Sequence, residues 1–368
     1  MIKSPEISIS FIEKAKTIFE RAERGVVGLV LRDDISELTD RKFTVQLAKE
    51  IPESLSDFNK EQIKLALLGN QTAPKKIVCF VMDNDEEAVL ADEYDLAKEF
   101  IESEKINYLA IPTVSTDGKL SDIVSFIKDL RSENKRIQAV LPFQTQTDSE
   151  GIIGCDFTAF TSEATHTATS GKYTAEEYCS RIAGLIAGTP FTQSITYATL
   201  PDLTDCNRLT KSEQDTAVGA GKLVLMNDGE KVKVVRGVNT LQTTTDTKGE
   251  SFKKIKIVIA MDLIYDDLMK TIRDTYIGKF NNDLDDKKLL VDAVNKYFED
   301  IARDGVITKG ECSIDFDAQR DYLITKGFDV VEMTEQEILE EKTGSFVFLT
   351  GNVTIPDAIE DVKFPIYI

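Results

Sequence analysis

The sequence has no tryptophan and a single histidine, His166, and its five cysteines (Cys79, Cys155, Cys179, Cys206, Cys312) never form a C-x-x-C pair. One imidazole with no local partner excludes a multi-histidine metal centre and leaves no histidine-based triad in view. Scattered thiols in odd number give neither a zinc signature nor a disulfide framework, so reduced, mostly buried cysteines are expected. Basic residues are also short: 44 Lys and Arg stand against 64 Asp and Glu, for a net charge of −20. Nucleic acid or anionic lipid as the main partner is thereby excluded, because a phosphate backbone demands a basic footprint. An acidic surface favours solubility and partners with basic patches. No stretch approaches the ~20 apolar residues that span a bilayer, and the opening "MIKSPEISIS" has no apolar h-region. No membrane insertion is expected, and synthesis and assembly are expected in a cytoplasm.

Catalytic signatures fail at specific residues. "TAVGAGKLV" contains Gly221 and Lys222 of a phosphate loop, but Leu223 replaces the hydroxyl that would hold magnesium and Thr216 replaces the first glycine. No G-x-G-x-x-G follows the first apolar strand, and no G-x-S-x-G elbow occurs. The acidic run from Asp83 starts like a calcium loop, yet Ala88 stands where the sharp turn needs glycine. A solvated helix start explains it better, with carboxylates at the positive end of the helix dipole. No catalytic residue, cofactor site or metal site is assigned. A small-molecule-binding or enzymatic α/β protein remains the alternative function, since fold does not decide chemistry.

What is present is patterning for a large, layered fold in 368 residues, 42% of them hydrophobic. From about residue 25 to 145, continuous apolar strands ("GVVGLVL", "KKIVCFVM", "INYLAIPT", "IQAVLPF") alternate with amphipathic helices, the signature of an open α/β sheet covered on both faces. "TAEEYCSRIAGLIAGTP" places Tyr178, Ile182 and Leu185 on one helix face. "GKLVLMNDGEKVKVVRG" reads as a hairpin around Asn227, Asp228 and Gly229. Two long helices follow, with apolar faces Ile257, Met261, Ile264, Leu268, Ile272 and Leu290, Val294, Tyr297, Ile301. "SFVFLTGNVTI" reads as a last strand pair. The expected fold class is α/β and α+β: an N-terminal strand arm over 1–20, an α/β outer domain over 21–175, an α+β core domain over 176–357 and a C-terminal strand arm over 358–368. Both arms alternate like half-buried edge strands, through Ile7, Ile9 and Phe11 at one end and Val362, Phe364, Ile366 and Ile368 at the other. Pro365 removes one backbone donor and discourages unlimited strand stacking.

Five segments taken together resemble the contractile tail sheath proteins of myophages and phage-tail-like bacteriocins, in particular the shorter Gram-positive type. They are "SRIAGLIAGTPFTQSITY" (180–197), "VVRGVNTL" (234–241), the helix after "FKKIKIV", "FEDIARDGVI", and "TGSFVFLTGNVTIPDAIEDVKFPIYI" to residue 368. The resemblance implies a structural, non-enzymatic subunit without cofactor. Copies of it would stack as rings around an inner tube protein, between a baseplate and a tail terminator or collar. They would assemble in a bacterial cytoplasm and contract to drive the tube through a cell envelope. It also implies that the terminal arms add strands to neighbouring copies. Tube-facing residues are sought at Gln319 and Arg320 in "DAQRDYLITKG" and at Glu335 and Glu337 in "TEQEILEEKTG".

Overall fold

The computed structural model describes residues 25–85, 89–161 and 171–367. Ile7, Ile9, Phe11, His166 and Ile368 lie outside them, as does Ala88 of the acidic run. The described chain divides into two compact units, one of residues 25–266 with 355–367 and one of Asp267–Thr354.

The larger unit is built on strands β1 (Val26–Asp33), β2 (Lys42–Val45), β3 (Lys76–Asp83), β4 (Tyr108–Ala110), β5 (Gln138–Pro142) and β6 (Ile152–Cys155), with helices α1 (Asp57–Leu67), α2 (Leu90–Ser103) and α3 (Leu120–Ser132) between them. Then come β7 (Thr158–Phe160), β8 (Lys172–Thr174), α4 (Ala175–Ala187), β9 (Asp205–Cys206), α5 (Lys211–Gly219), β10 (Lys222–Leu223), β11 (Leu225–Asn227) and β12 (Val232–Val234). The main sheet runs β10-β6-β5-β4-β1-β3-β2, all parallel except β2 at the edge. Its central strands are apolar on both sides because both faces are covered. Val27, Leu29 and Leu31 face the core shared with α1 and α4, while Val26 and Val30 face the one shared with α2 and α3.

The second domain was expected from residue 176. Instead α4 closes the larger unit: Tyr178, Ile182 and Leu185 are buried in the core under β1 and β4. Gly184 permits the fit, since a Cβ there would lie 2.0 Å from the carbonyl oxygen of Ala66 in α1. The expected hairpin is split. Lys222 and Leu223 join the main sheet beside β6, and only β11 and β12 pair around the Asn227-Asp228-Gly229 turn.

The chain continues through α6 (Ile255–Thr271), a π-helical turn (Ile272–Tyr276), α7 (Leu284–Arg303), β13 (Lys309–Ile314), α8 (Phe316–Thr325), α9 (Glu335–Glu340) and β14 (Leu349–Thr354). The α7 face is as expected, with Leu290, Val294, Tyr297 and Ile301 buried. The α6 face is rotated. Met261, Ile264 and Leu268 are only half-buried, while Asp262 and Asp267 point inward. The burial of Asp262 is offset by its bonds from Arg131 and Gln138, and Asp267 accepts from the Tyr297 hydroxyl at 2.8 Å. The strand of "SFVFLTGNVTI" pairs antiparallel with β13, from Lys309↔Thr354 to Ile314↔Leu349, and not within its own segment.

Candidate subunit-interface site

The chemical alternatives are tested first by where their residues fall. Doubly wound sheets bind ligands at the carboxyl ends of the strands where the strand order reverses, here between β1 and β4. The chain's own side chains fill that place. Asp117 accepts from Arg32 Nη1 at 2.9 Å, the Tyr94 hydroxyl at 2.9 Å and Thr113 Oγ1 at 2.8 Å. Burial, and then the Asp117 charge, push the Tyr94 hydroxyl well above its ordinary range. The loop after β4 turns its donors onto another carboxylate: Glu176 accepts from the backbone N–H of Ser115, and from Thr116 N at 3.1 Å and Oγ1 at 3.0 Å.

The "GAGK" segment has the wrong polarity for a phosphate. Its glycines end α5, at the negative pole of the helix, whereas a phosphate loop precedes a helix. Gly221 has φ +76° and turns the chain into β10, and Lys222 Nζ meets Asp156 Oδ2 at 2.7 Å. Among the described residues, no three His, Cys, Asp or Glu side chains gather as a metal site, and no helix is long and apolar enough to cross a membrane. All five cysteines are free and buried; burial pushes the Cys206 thiol up to about 11.

The features that invite another protein are strands and edges. Segment 362–367 forms no strand, and its apolar side chains stand in solvent: Val362 is 77% exposed, Phe364 79% and Ile366 72%. Among the described residues, the sheet of β13 and β14 has two strands. α7 packs on β13, where Gly310 lies so close to Phe298 that a Cβ would sit 2.7 Å from its ring. Asn295 caps β13 at its centre, Nδ2 donating to the Cys312 carbonyl at 2.9 Å while Cys312 N–H donates to Oδ1 at 2.7 Å. Cys312 therefore has nothing left to offer a further strand, whereas among the described residues β14 is paired along one edge only. Beside this sheet Val291, Ile314, Phe316 and Leu339 line a groove of about 430 Å³.

The four residues expected at a tube surface separate. Gln319 is fully buried; it accepts from Lys287 Nζ at 3.2 Å and donates to the Ile338 carbonyl at 2.6 Å, joining α7, α8 and α9. Its polarity, read as exposure, serves instead to satisfy a buried helix end. Glu337 is exposed but accepts from Thr334 N–H at 2.7 Å in a capping box. Arg320 is half-buried beside Asp317 and Asp321, and Glu335 is exposed at the rim of the groove.

Comparison with known proteins follows the same lines. Residues 87–240 match the phage tail sheath protein central domain and residues 247–368 the phage tail sheath C-terminal domain. The tail sheath protein of Clostridium phage phiCD119 is 34% identical, over 97% of each chain. The sheath tail protein of Desulfitobacterium hafniense has a similar fold at TM-score 0.68 and 18% identity, over 84% of this chain and 94% of its own. The helical sheath of the anti-feeding prophage in its contracted state reaches TM-score 0.71 at 12% identity, over 100% of this chain and 99% of its own.

Proposed function

This chain belongs to the phage tail sheath protein family and is a structural sheath subunit; from that premise we infer that copies are joined by strand exchange, segment 362–368 of one adding to the β13–β14 sheet of another. The observation that carries this reading is the pairing of two unsatisfied features in one chain. Among the described residues, an alternating apolar segment has no strand partner and a two-stranded sheet is paired along one edge of β14 only. Main-chain bonds alone would hold the strand weakly, since each returns about 0.5–1.5 kcal/mol against about 1–2 kcal/mol to order a residue. Burying Val362, Phe364 and Ile366 adds about 1.5–3 kcal/mol per side chain, and that surplus decides whether the lattice holds. The N-terminal segment with Ile7, Ile9 and Phe11 is the second donor in this reading.

The subunits then move as near-rigid bodies while the exchanged strands keep them linked, so the sheath contracts around an inner tube without hydrolysing a nucleotide. Arg320, half-buried, and Glu335, exposed, remain the tube-facing candidates. The baseplate and the tail terminator or collar close the two ends, and assembly takes place in a bacterial cytoplasm. Negative-stain microscopy of a chain truncated after Asp361 tests the linkage. The expected result is a folded subunit that forms no long sheaths, and normal sheaths from the truncated chain would overturn it.

A further inference from the structure

The exposed segment begins abruptly. Residue 361 and those before it are strapped to the larger unit, whereas every described residue from Val362 on is exposed. The Glu360 side chain, only 6% exposed, accepts from Thr196 Oγ1 at 2.5 Å and Ser194 Oγ at 3.1 Å, with Lys254 Nζ at 3.5 Å and Arg236 Nε at 3.6 Å. Asp357 pairs with Lys254, Asp361 meets Arg236 Nη2 at 2.7 Å, and Lys256 Nζ donates to the Pro356 carbonyl at 2.8 Å. Three carboxylates thus meet two cations, with Lys256 on the backbone beside them, in a chain whose net charge is −20. Ser194 and Thr196, Arg236, and Lys254 and Lys256 come from three of the segments that carry the sheath resemblance, and they converge on a fourth, "IPDAIED".

We propose that this cradle is a fastening site for the acidic root of the arm: it fixes where the exchanged strand starts and holds the free part to residues 362–368. The proposal rests on the strand-exchange reading above and adds a positioning site to it. Opening the clasp doubles the free length, from 362–368 to 355–368. The effective concentration of a tethered partner falls as about the −3/2 power of tether length, so strand docking onto a neighbour slows about threefold. The arm's own apolar side chains are untouched, which separates this role from theirs. Because the clasp is largely ionic and near the surface, concentrated salt opens it as well.

A nitroxide at position 359 reports the clasp directly, since Ile359 is 91% exposed and the native cysteines are buried. In the unassembled Ile359→Cys subunit the label should be restricted, and in the Ile366→Cys subunit mobile. Glu360→Gln and Arg236→Gln should each make the 359 label as mobile as the 366 label and slow sheath assembly about threefold. Asp361→Asn, at an exposed position, should loosen the label partly without any effect on folding. A 359 label as mobile as the 366 label in the otherwise unsubstituted chain overturns the clasp. Mobile labels with an unchanged assembly rate overturn its positioning role. The chain truncated after Asp361 separates the two readings: long sheaths from it reject strand exchange, whereas a restricted 359 label in it supports the clasp on its own.

Discussion

Arg131 holds Asp262 with both terminal nitrogens, Nη1 to Oδ2 and Nη2 to Oδ1 at 3.1 Å each, and both side chains are buried. Gln138 Nε2 adds a third bond to the same carboxylate at 3.0 Å. A helix face that carries an aspartate inward is stable here only because α3 and β5 deliver a matching donor set.

Removing one partner leaves the other charge buried. Asp262→Ala is expected to lower unfolding free energy by about 3–5 kcal/mol, measured by urea denaturation of the unassembled subunit. Replacing both residues, Arg131→Met with Asp262→Leu, should cost much less. A loss in the double variant equal to the sum of the two single losses would mean that the pair is not coupled.

Glu150 adds a pH-dependent contribution. Burial alone would raise its carboxyl, but hydrogen bonds and the charges of Lys248 and Arg131 outweigh burial and hold it below the usual range. A carboxylate lowered by folding stabilises above its unfolded pKa, and that contribution disappears as pH falls through the folded value. Glu150→Gln should therefore be less stable than the parent at pH 7, with the difference shrinking below about pH 4. A difference constant from pH 7 to pH 3 would contradict this.

The α1–α4 contact tolerates no side chain at residue 184. Gly184→Ala should cost at least about 1–3 kcal/mol, because the atom it meets at 2.0 Å is a backbone oxygen that cannot rotate away. Gly219→Ala, where a Cβ meets nothing within 4 Å, serves as the tolerant control. Thermal melts of the two variants give the comparison.

Phe364→Asp and Ile366→Asp test the arm without shortening it. Both side chains are more than 70% exposed, so subunit stability should change by no more than about 0.5 kcal/mol. Long sheaths in the micrographs should nevertheless be lost. A fall in melting temperature comparable to that of Gly184→Ala would show that these residues pack within their own subunit.

Much of the fold was legible because its signals are local. Alternating apolar runs and amphipathic helices identified β1, β3, β5, α2, α3 and α7 to within a few residues, and the Asn227-Asp228-Gly229 turn needed only its own backbone preferences. The misreadings all involve partners distant in sequence. The inward face of α6 was hidden because an aspartate reads as exposed until Arg131 is placed beside it. Gln319 read as a surface residue because nothing nearby in sequence reveals the carbonyls of α9 that it satisfies. The helix holding Tyr178 was assigned to the wrong unit because amphipathicity says that a face is buried, not against what.

The clasp shows the same division. Alternation in "VKFPIYI" reads as a strand, which 362–367 does not form within the subunit, and the acidic "DAIED" before it could be read only as charge. By itself the sequence determined most of the helices and sheet strands, that no familiar catalytic motif is intact, and which segments resemble a sheath, since each depends on residues a few positions apart. Only the tertiary structure decided that Ser194, Thr196, Arg236, Lys254 and Glu360 meet, that β13 is capped by Asn295, and that the arm's apolar face has no partner among the described residues. The clasp depends on contacts across more than a hundred residues, and side-chain chemistry specifies such contacts only once the intervening core has packed.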